Sequence, residues 1–333
     1  MHTVTVRQIH DLQTPALLVD AEVLDHNLAT MASALPGQRM RPHVKAHKCT
    51  ALARRQAAVG HQTFTCATIR EVEGMAAAGL GDDLLLANEV VDARRLGRVA
   101  ARVTVAVDSA ATIGAAAAGG VREVVIDINV GLPRCGCPPE DAGRLADLAR
   151  ARGLVVRGVM GYEGHAVGLE DRSLRVRLTE EAMQLLLAAH AQVGGELISA
   201  GGTGTYDCNV WATEIQAGSY LLMDTAYAKL GLPFRQALSV LATVLSVSHA
   251  YAVADCGLKS LGMDHGNPTI ADAQVLFCSD EHITFVPEHP VKVGDRIRVW
   301  PAHIDPTIAY HERMHIVGGD EVVDTLLVDL RGW

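Results

Sequence analysis

The chain has 333 residues, 49% of them hydrophobic and only 4% aromatic, so it can bury a sizeable core of Ala, Val and Leu in one large domain or two ordinary ones. Its net charge is -9, with no basic tail or long Lys/Arg run, which argues against nucleic acid as a partner. No apolar run reaches membrane-spanning length, the opening MHTVTVRQIHDLQTP lacks a charged-then-apolar leader, and the seven cysteines read as reduced thiols of a cytoplasmic protein.

Residues 1–13 contain Thr3-Val4-Thr5-Val6, a short strand pattern that would join a β domain further along. From about residue 15 to 230, β-rich runs alternate with helical stretches. The runs cover 40–45, 63–68, 83–88, 103–108, 123–129, 155–162, 196–200 and 214–223. The helical stretches are clearest over 70–80, 138–152 and 172–193, where apolar residues recur at three-to-four spacing. Eight βα-type units predict an α/β fold, a (β/α)8 TIM-like barrel over 14–232, with a doubly wound open sheet as the alternative. After Pro233 the texture changes to strands with hairpin-like joins at 240–252, 273–277, 283–287, 295–301 and 321–330. This predicts a smaller β-rich C-terminal domain over 233–333.

The octapeptide Arg41-Pro42-His43-Val44-Lys45-Ala46-His47-Lys48 carries five potentially cationic side chains. On a strand, the period of two would set Arg41, His43, Lys45 and His47 on one face. Such groups are not gathered on a buried face without a use, and a partly desolvated amine among cations makes a nucleophile of the kind a Schiff-base lysine requires. A solvated basic loop is the plain alternative. Further reactive groups fall at later strand ends, where barrel enzymes keep their chemistry. Arg134 follows the fifth strand and suits an anionic oxygen; Tyr162 ends the sixth and suits a flat ring.

Two stretches suit an anion. Ser199-Ala200-Gly201-Gly202-Thr203-Gly204-Thr205-Tyr206 follows the seventh strand, where glycines let backbone N–H groups approach a phosphate and threonines add donors; a flexible loop is the plain alternative. Gln216-Ala217-Gly218-Ser219-Tyr220 lies in the eighth, with a glycine and two hydroxyls. Cys135-Gly136-Cys137 lacks evident partner ligands for a metal and reads as incidental. His311-Glu312-Arg313-Met314-His315 matches HExxH, but that motif needs a helix, and the context here reads as strand, hairpin turn, strand. His303-Ile304-Asp305 is a better metal pair: on an extended segment the imidazole and carboxylate share a face and suit Mn2+, Mg2+ or Zn2+.

Together these residues resemble the fold-type III pyridoxal phosphate (PLP) enzymes, in particular the D-threonine aldolase and D-serine dehydratase group, which join an alanine-racemase-like barrel to a metal-binding β domain. The resemblance rests on Thr14-Pro15-Ala16-Leu17-Leu18-Val19-Asp20 with Asn27, the octapeptide, Gly218-Ser219-Tyr220 with Met223-Asp224, and His303-Ile304-Asp305-Pro306-Thr307. It implies Lys45 as the Schiff-base lysine, Arg134 against the cofactor's phenolic oxygen and Tyr162 lining its ring. Gly202, Thr203, Gly204, Gly218 and Ser219 are implied as phosphate contacts, with Thr205 and Tyr220 completing the two loops. Gln216 takes the place where alanine racemases put an arginine against the pyridine nitrogen. His303 and Asp305 match the divalent metal pair. Dehydratases of the group tend to show His-x-Cys there and aldolases His-x-Asp. The resemblance therefore implies a metal-assisted, PLP-dependent lyase that cleaves a D-threonine-like D-β-hydroxy-α-amino acid to glycine and an aldehyde. The alternative is β-elimination to a 2-oxo acid and ammonia, with racemisation or noncatalytic PLP binding behind it. Aldolases of the group usually carry a histidine shortly after the tyrosine matching Tyr162. Here Glu163-Gly164-His165 follows, so the expected catalytic set is Lys45, Tyr162 and His165, with Glu163 as the other candidate for the histidine's role. A homodimer is implied by the same resemblance.

Overall fold

The computed structural model describes residues 8–333, so the strand pattern at residues 3–6 lies outside the described residues. The chain forms two compact units. One comprises residues 31–45, 52–218 and 332–333; the other comprises residues up to 30, 46–51 and 219–331. The expected single division at 232/233 is thus replaced by several crossings of the chain between units. In chain order the strands are β1 (Ala16–Asp20), β2 (Phe64–Cys66), β3 (Leu84–Leu86), β4 (Val103–Val107), β5 (Glu123–Asp127), β6 (Val155–Met160), β7 (Leu197–Ala200) and β8 (Glu214–Ile215). They continue with β9 (Leu238–Val247), β10 (Ala252–Ala254), β11 (Thr269–Ile270), β12 (Ala273–Cys278), β13 (Ile283–Pro287), β14 (Arg296–Trp300), β15 (Arg313–Gly318) and β16 (Glu321–Leu327).

In the first unit, β2 to β8 form a seven-stranded parallel sheet in sequence order. Its two edges are joined through residues 40–43: Met40 bridges Ile215 in one edge strand, β8, and His43 bridges Thr65 in the other, β2. The Arg41 N–H donates to Ile215 O (2.9 Å), and Pro42 O accepts from the Thr65 N–H (2.9 Å). The first predicted strand therefore shrinks to two isolated bridges. Pro42 has no N–H for a ladder, and a 3-10 turn follows at Val44–Ala46. The expected common face of Arg41, His43, Lys45 and His47 ends with it. The eighth predicted strand also shortens, to Glu214–Ile215, before a 3-10 turn at Ser219–Leu221.

The helices between these strands follow the predicted periodicity. Arg172–Val193 is one helix, capped by the Asp171 carboxylate accepting from the Ser173 and Leu174 N–H groups and ending at Gly194 with φ 69. Alternate strand positions share a face, and on one face of the sheet they stack in layers. Asp83, Thr104 and Glu123 lie nearest the strand starts. Two residues on, Leu85, Ala106 and Val125 join Met160 and Leu197 in an apolar cluster. The first layer is ionic. Fully buried Arg41 donates to Glu214 Oε1 (2.8 Å) and Asp83 Oδ1 (3.2 Å), and Arg157 donates to both Asp83 oxygens (2.9 Å each) and to Thr104 (2.8 Å). Arg41, the first cation of the octapeptide, is therefore committed to structure.

In the second unit, nine strands run β10-β13-β12-β11-β14-β9-β1-β15-β16. The additional β10–β9 pairing closes β9 to β14 into a ring. All pairs are antiparallel except β1 with β15. The strand at 16–20 thus belongs to this sheet, where β9 and β15 flank it and Leu12, Ala16, Leu18, Leu241 and Val317 cluster. Gln8 bridges Glu321 at the β16 end. Residues 306–310, expected as strand, lie instead in the helix Ile304–Tyr310.

Candidate functional site

Within the parallel-sheet unit, the predicted groups collect at the C-terminal ends of the strands. Lys45 is half-buried on the 3-10 turn, its backbone N–H directed at His43 Nδ1 (3.5 Å), while the His43 N–H donates to Ala217 O (3.1 Å). Beyond β5, the loop to Arg134 turns on Gly131, at φ 126, where the Asn129 side chain accepts the Gly131 N–H (3.0 Å). The Arg134 guanidinium lies 5.4 Å from the centre of the Tyr162 ring, a cation–π contact. A Cβ on Gly131 would come within 2.8 Å of the His165 ring, and one on Gly164 within 2.6 Å of the Tyr162 ring. Both glycines are therefore required for close approach. Buried His165 Nδ1 has no hydrogen-bond partner among the described residues.

The loop after β7 is held by Glu163, which is fully buried. It accepts from the Gly201 N–H (3.1 Å), the Thr205 hydroxyl (2.9 Å) and the Asn209 side-chain amide (3.0 Å). The Thr205 hydroxyl also accepts the Gly202 N–H (3.1 Å). Of the two candidates after Tyr162, Glu163 is thus occupied with the loop, and His165 keeps an unmatched ring nitrogen. A Cβ on Gly202 would meet Val167 at 3.2 Å and the Tyr162 ring at 3.5 Å. Gln216 donates to Ser199 Oγ (2.8 Å), which donates to Glu214 (2.6 Å), so Gln216 is tied to the ionic layer.

Asp127, at the end of β5, lines a small cavity with Arg134, Cys135 and Tyr162. Burial, and then the neighbouring negative charge of Glu89, push its carboxyl well above the usual range. The Cys135 thiol is pushed up to about 11, first by its hydrogen bond to Glu89 and then by burial. Burial holds Cys137 at about 12.

The second unit gathers a separate set. His303 caps the helix Ile304–Tyr310 rather than lying on an extended strand, and Asp305 is in the helix's first turn. His303 Nδ1 lies 2.9 and 2.8 Å from the two Asp264 oxygens, and Nε2 lies 4.0 Å from Asp305 Oδ1. The His265 ring stacks on His303 with centroids 4.0 Å apart and planes 9° apart. Asp264, His265 and His303 each bring a ligand atom within 4.8 Å of the others. Sequence reasoning left Asp264 and His265 unplaced, because a β-strand series separates them from His303. Buried Asp224 supports the helix start by accepting the Ile304 N–H (3.1 Å), and burial raises its carboxyl. Of the second anion stretch, Tyr220 is buried against Phe234, ring centres 5.5 Å apart, and Ser219 O accepts the Met223 N–H (2.7 Å). The HExxH histidines do not act together: His311 bonds to Ser260 O (3.0 Å) and His315, on β15, to Thr325 (2.9 Å).

The residues fit both groups that the resemblance implies. An amine at Lys45, a flat wall at Tyr162, a cation at Arg134 and the glycine-rich loop 201–204, with Gly202 packed closely on Val167 and Tyr162, suit PLP. The His303 imidazole and the Asp305 carboxylate suit a divalent ion, with His265 stacked beside them and Asp264 placed to orient His303.

Comparison with known proteins agrees with this geometry. The family described as "Alanine racemase, N-terminal domain" matches residues 19–243, and "Putative serine dehydratase domain" matches residues 237–317. The chain is 30% identical to a 3-hydroxy-D-aspartate aldolase of Paracoccus denitrificans (strain Pd 1222), over 97% of this chain and 93% of that one. It is 31% identical to a D-threonine aldolase of Arthrobacter sp, with the same shares covered. The crystal structure of D-threonine aldolase from Filomicrobium marinum superposes with a TM-score of 0.92 at 33% identity, covering 98% of each chain. Among the described residues no helix is long and apolar enough to cross a membrane.

Proposed function

Because the chain belongs to the alanine-racemase-like, fold-type III PLP enzymes of the D-threonine aldolase and D-serine dehydratase group, we propose that it is a metal-assisted lyase. It splits D-β-hydroxy-α-amino acids between Cα and Cβ to give glycine and an aldehyde. The observation that carries the aldolase reading is the His303/Asp305 pair, with a carboxylate where dehydratases of the group tend to have a thiol, and Asp264 hydrogen-bonded to the histidine. When bound, PLP supplies the electron sink for the pair released at Cα, and a divalent ion the Lewis acidity at the β-hydroxyl.

In this reading Lys45 is the attachment point. Arg134 and Tyr162 orient the ring, and Gln216 faces its nitrogen. Gly202, Thr203, Gly204, Gly218 and Ser219 hold the phosphate, and Thr205 shapes the first of these loops. His303 and Asp305 hold the ion, with Asp264 fixing the imidazole. His165 takes the hydroxyl proton, its Nδ1 having no competing partner among the described residues. The reading includes a homodimer in the cytoplasm.

A second reading, β-elimination, is favoured by the match of residues 237–317 to the serine dehydratase domain. One experiment separates the two. PLP-loaded protein is incubated with D-threonine, and in parallel with D-3-hydroxyaspartate, with manganese and then with chelator. Glycine plus acetaldehyde or glyoxylate, lost on chelation, supports the aldolase. A 2-oxo acid and ammonia would overturn it in favour of elimination.

A further inference from the structure

We propose that Glu163 is a positioning residue for phosphate recognition, holding the loop after β7 in its binding shape before any phosphate arrives. The inference rests on the PLP reading above and deepens it. Glu163 is fully buried, and no cation pairs with it among the described residues. Its charge is met by three neutral donors: the Gly201 N–H, the Thr205 hydroxyl and the Asn209 amide. A buried carboxylate is tolerated only while such bonds are kept, so each of them pins the loop.

The bracing extends on both sides. The Thr205 hydroxyl accepts from Gly202 N–H, and Asn209 Oδ1 accepts from Ala212 N–H (3.2 Å). Gly201 sits at φ 84, and a Cβ there would strike the Ile215 side chain at 2.9 Å, so the loop's first position takes glycine, and its hydrogen bond to Glu163 is what holds that permissive residue in place. Two of the donors tied to Glu163, Gly201 and Thr205, stand at the ends of the stretch 201–205. Gly204, between them, keeps an N–H without a protein partner among the described residues. A loop ordered in advance costs a ligand less than one that must order on binding. Glu163 also follows Tyr162 directly, and its carbonyl accepts the Ala166 N–H (2.9 Å). One residue thus couples the ring wall to the phosphate loop.

The test compares PLP with pyridoxal, which carries the same aldehyde and ring but no phosphate. Glu163→Gln keeps the volume but turns one acceptor into a donor facing other donors. Dissociation constants come from absorbance titration of the cofactor-free protein. PLP should weaken about tenfold or more, while pyridoxal should change less than about twofold. Equal weakening of both compounds would mean general damage to the ring site and would overturn the proposal, as would unchanged PLP affinity. Thr205→Val, which keeps the carboxylate and removes one donor, carries the same comparison if the glutamine variant does not fold. A wild-type protein that bound neither compound would bring down the PLP reading and this inference with it. A wild type that binds PLP beside variants lacking the split would overturn the inference alone.

Discussion

Lys45 lies within the 3-10 turn Val44–Ala46, and His303 lies just before the helix Ile304–Tyr310. Lys45→Ala removes the amine that would hold the cofactor covalently, so PLP should wash out on dialysis and the yellow colour go with it. Colour that persisted through dialysis would move the attachment elsewhere. His303 is fixed by Asp264, which lies within hydrogen-bond distance of Nδ1 through both oxygens. A carboxylate accepts, so Nδ1 donates to Asp264 and Nε2 is turned toward Asp305, the arrangement in which an outer carboxylate orients a histidine that would bind a metal. Asp264→Asn should weaken manganese binding by roughly 10- to 100-fold, read by titration calorimetry or by the spectrum of free manganese. An unchanged affinity would mean that the ion does not depend on the orientation of His303.

At the scale of elements, the helix Ile304–Tyr310, which follows His303 and carries Asp305 (together the proposed metal pair), is seated by a backbone contact. Gly262 bridges His303, and its N–H donates to the Thr307 hydroxyl (2.8 Å), which in turn donates to His303 O (2.7 Å). A Cβ on Gly262 would fall 2.3 Å from Pro306 Cγ and 2.8 Å from His303 O. Gly262→Ala should therefore push the helix start away, costing about 1–3 kcal/mol in urea unfolding and lowering manganese affinity. Full stability with full affinity would show that the loop yields without strain. This approach of loop to helix has no local sequence signal. The spacing His303-x-Asp305 was legible, but the helix under it was not, because Pro306 at an early helical position reads equally well as a turn.

At the scale of the whole molecule, each unit has its own means of cohesion: a ring of paired strands in one, a buried ionic layer under an apolar layer in the other. In the ionic layer, burial by itself would raise the Asp83 carboxyl. Hydrogen bonds from Arg157 and the charge of Arg41 outweigh it and hold the group below its usual value. A carboxylate depressed in the folded state adds stability that is present above its unfolded pKa, near 4, and lost as pH falls through the lower folded value. Asp83→Asn should cost roughly 3–5 kcal/mol near neutral pH, since it leaves two buried guanidiniums short of a partner. The gap from wild type should narrow as pH falls below about 4. A gap independent of pH would mean that packing, not charge, is what Asp83 contributes. Burial also lowers His61 and His311. Unfolded histidines gain protons below about 6.5 that these two resist, so acid should begin to destabilise the fold before the carboxylates titrate.

The alternation of β-rich and helical runs, the change of texture after Pro233, and Lys45, Arg134, Tyr162 and His303-x-Asp305 as candidates were all legible in the sequence. Periodicity and short motifs are local properties, carried by neighbours along the chain. What only the tertiary structure decided is non-local. Strand 16–20 pairs with β9 and β15 rather than opening the parallel sheet, because the partners that bury it lie more than 200 residues away. Arg41 joins an ion layer whose acids come from distant strands, so a run of cations that looked chemical along the sequence divides into one structural arginine and a turn that carries Lys45. Glu163, a lone glutamate in sequence, becomes a brace only when the loop after β7 supplies its three donors, and Asp264 meets His303 only when a glycine lets two backbones touch.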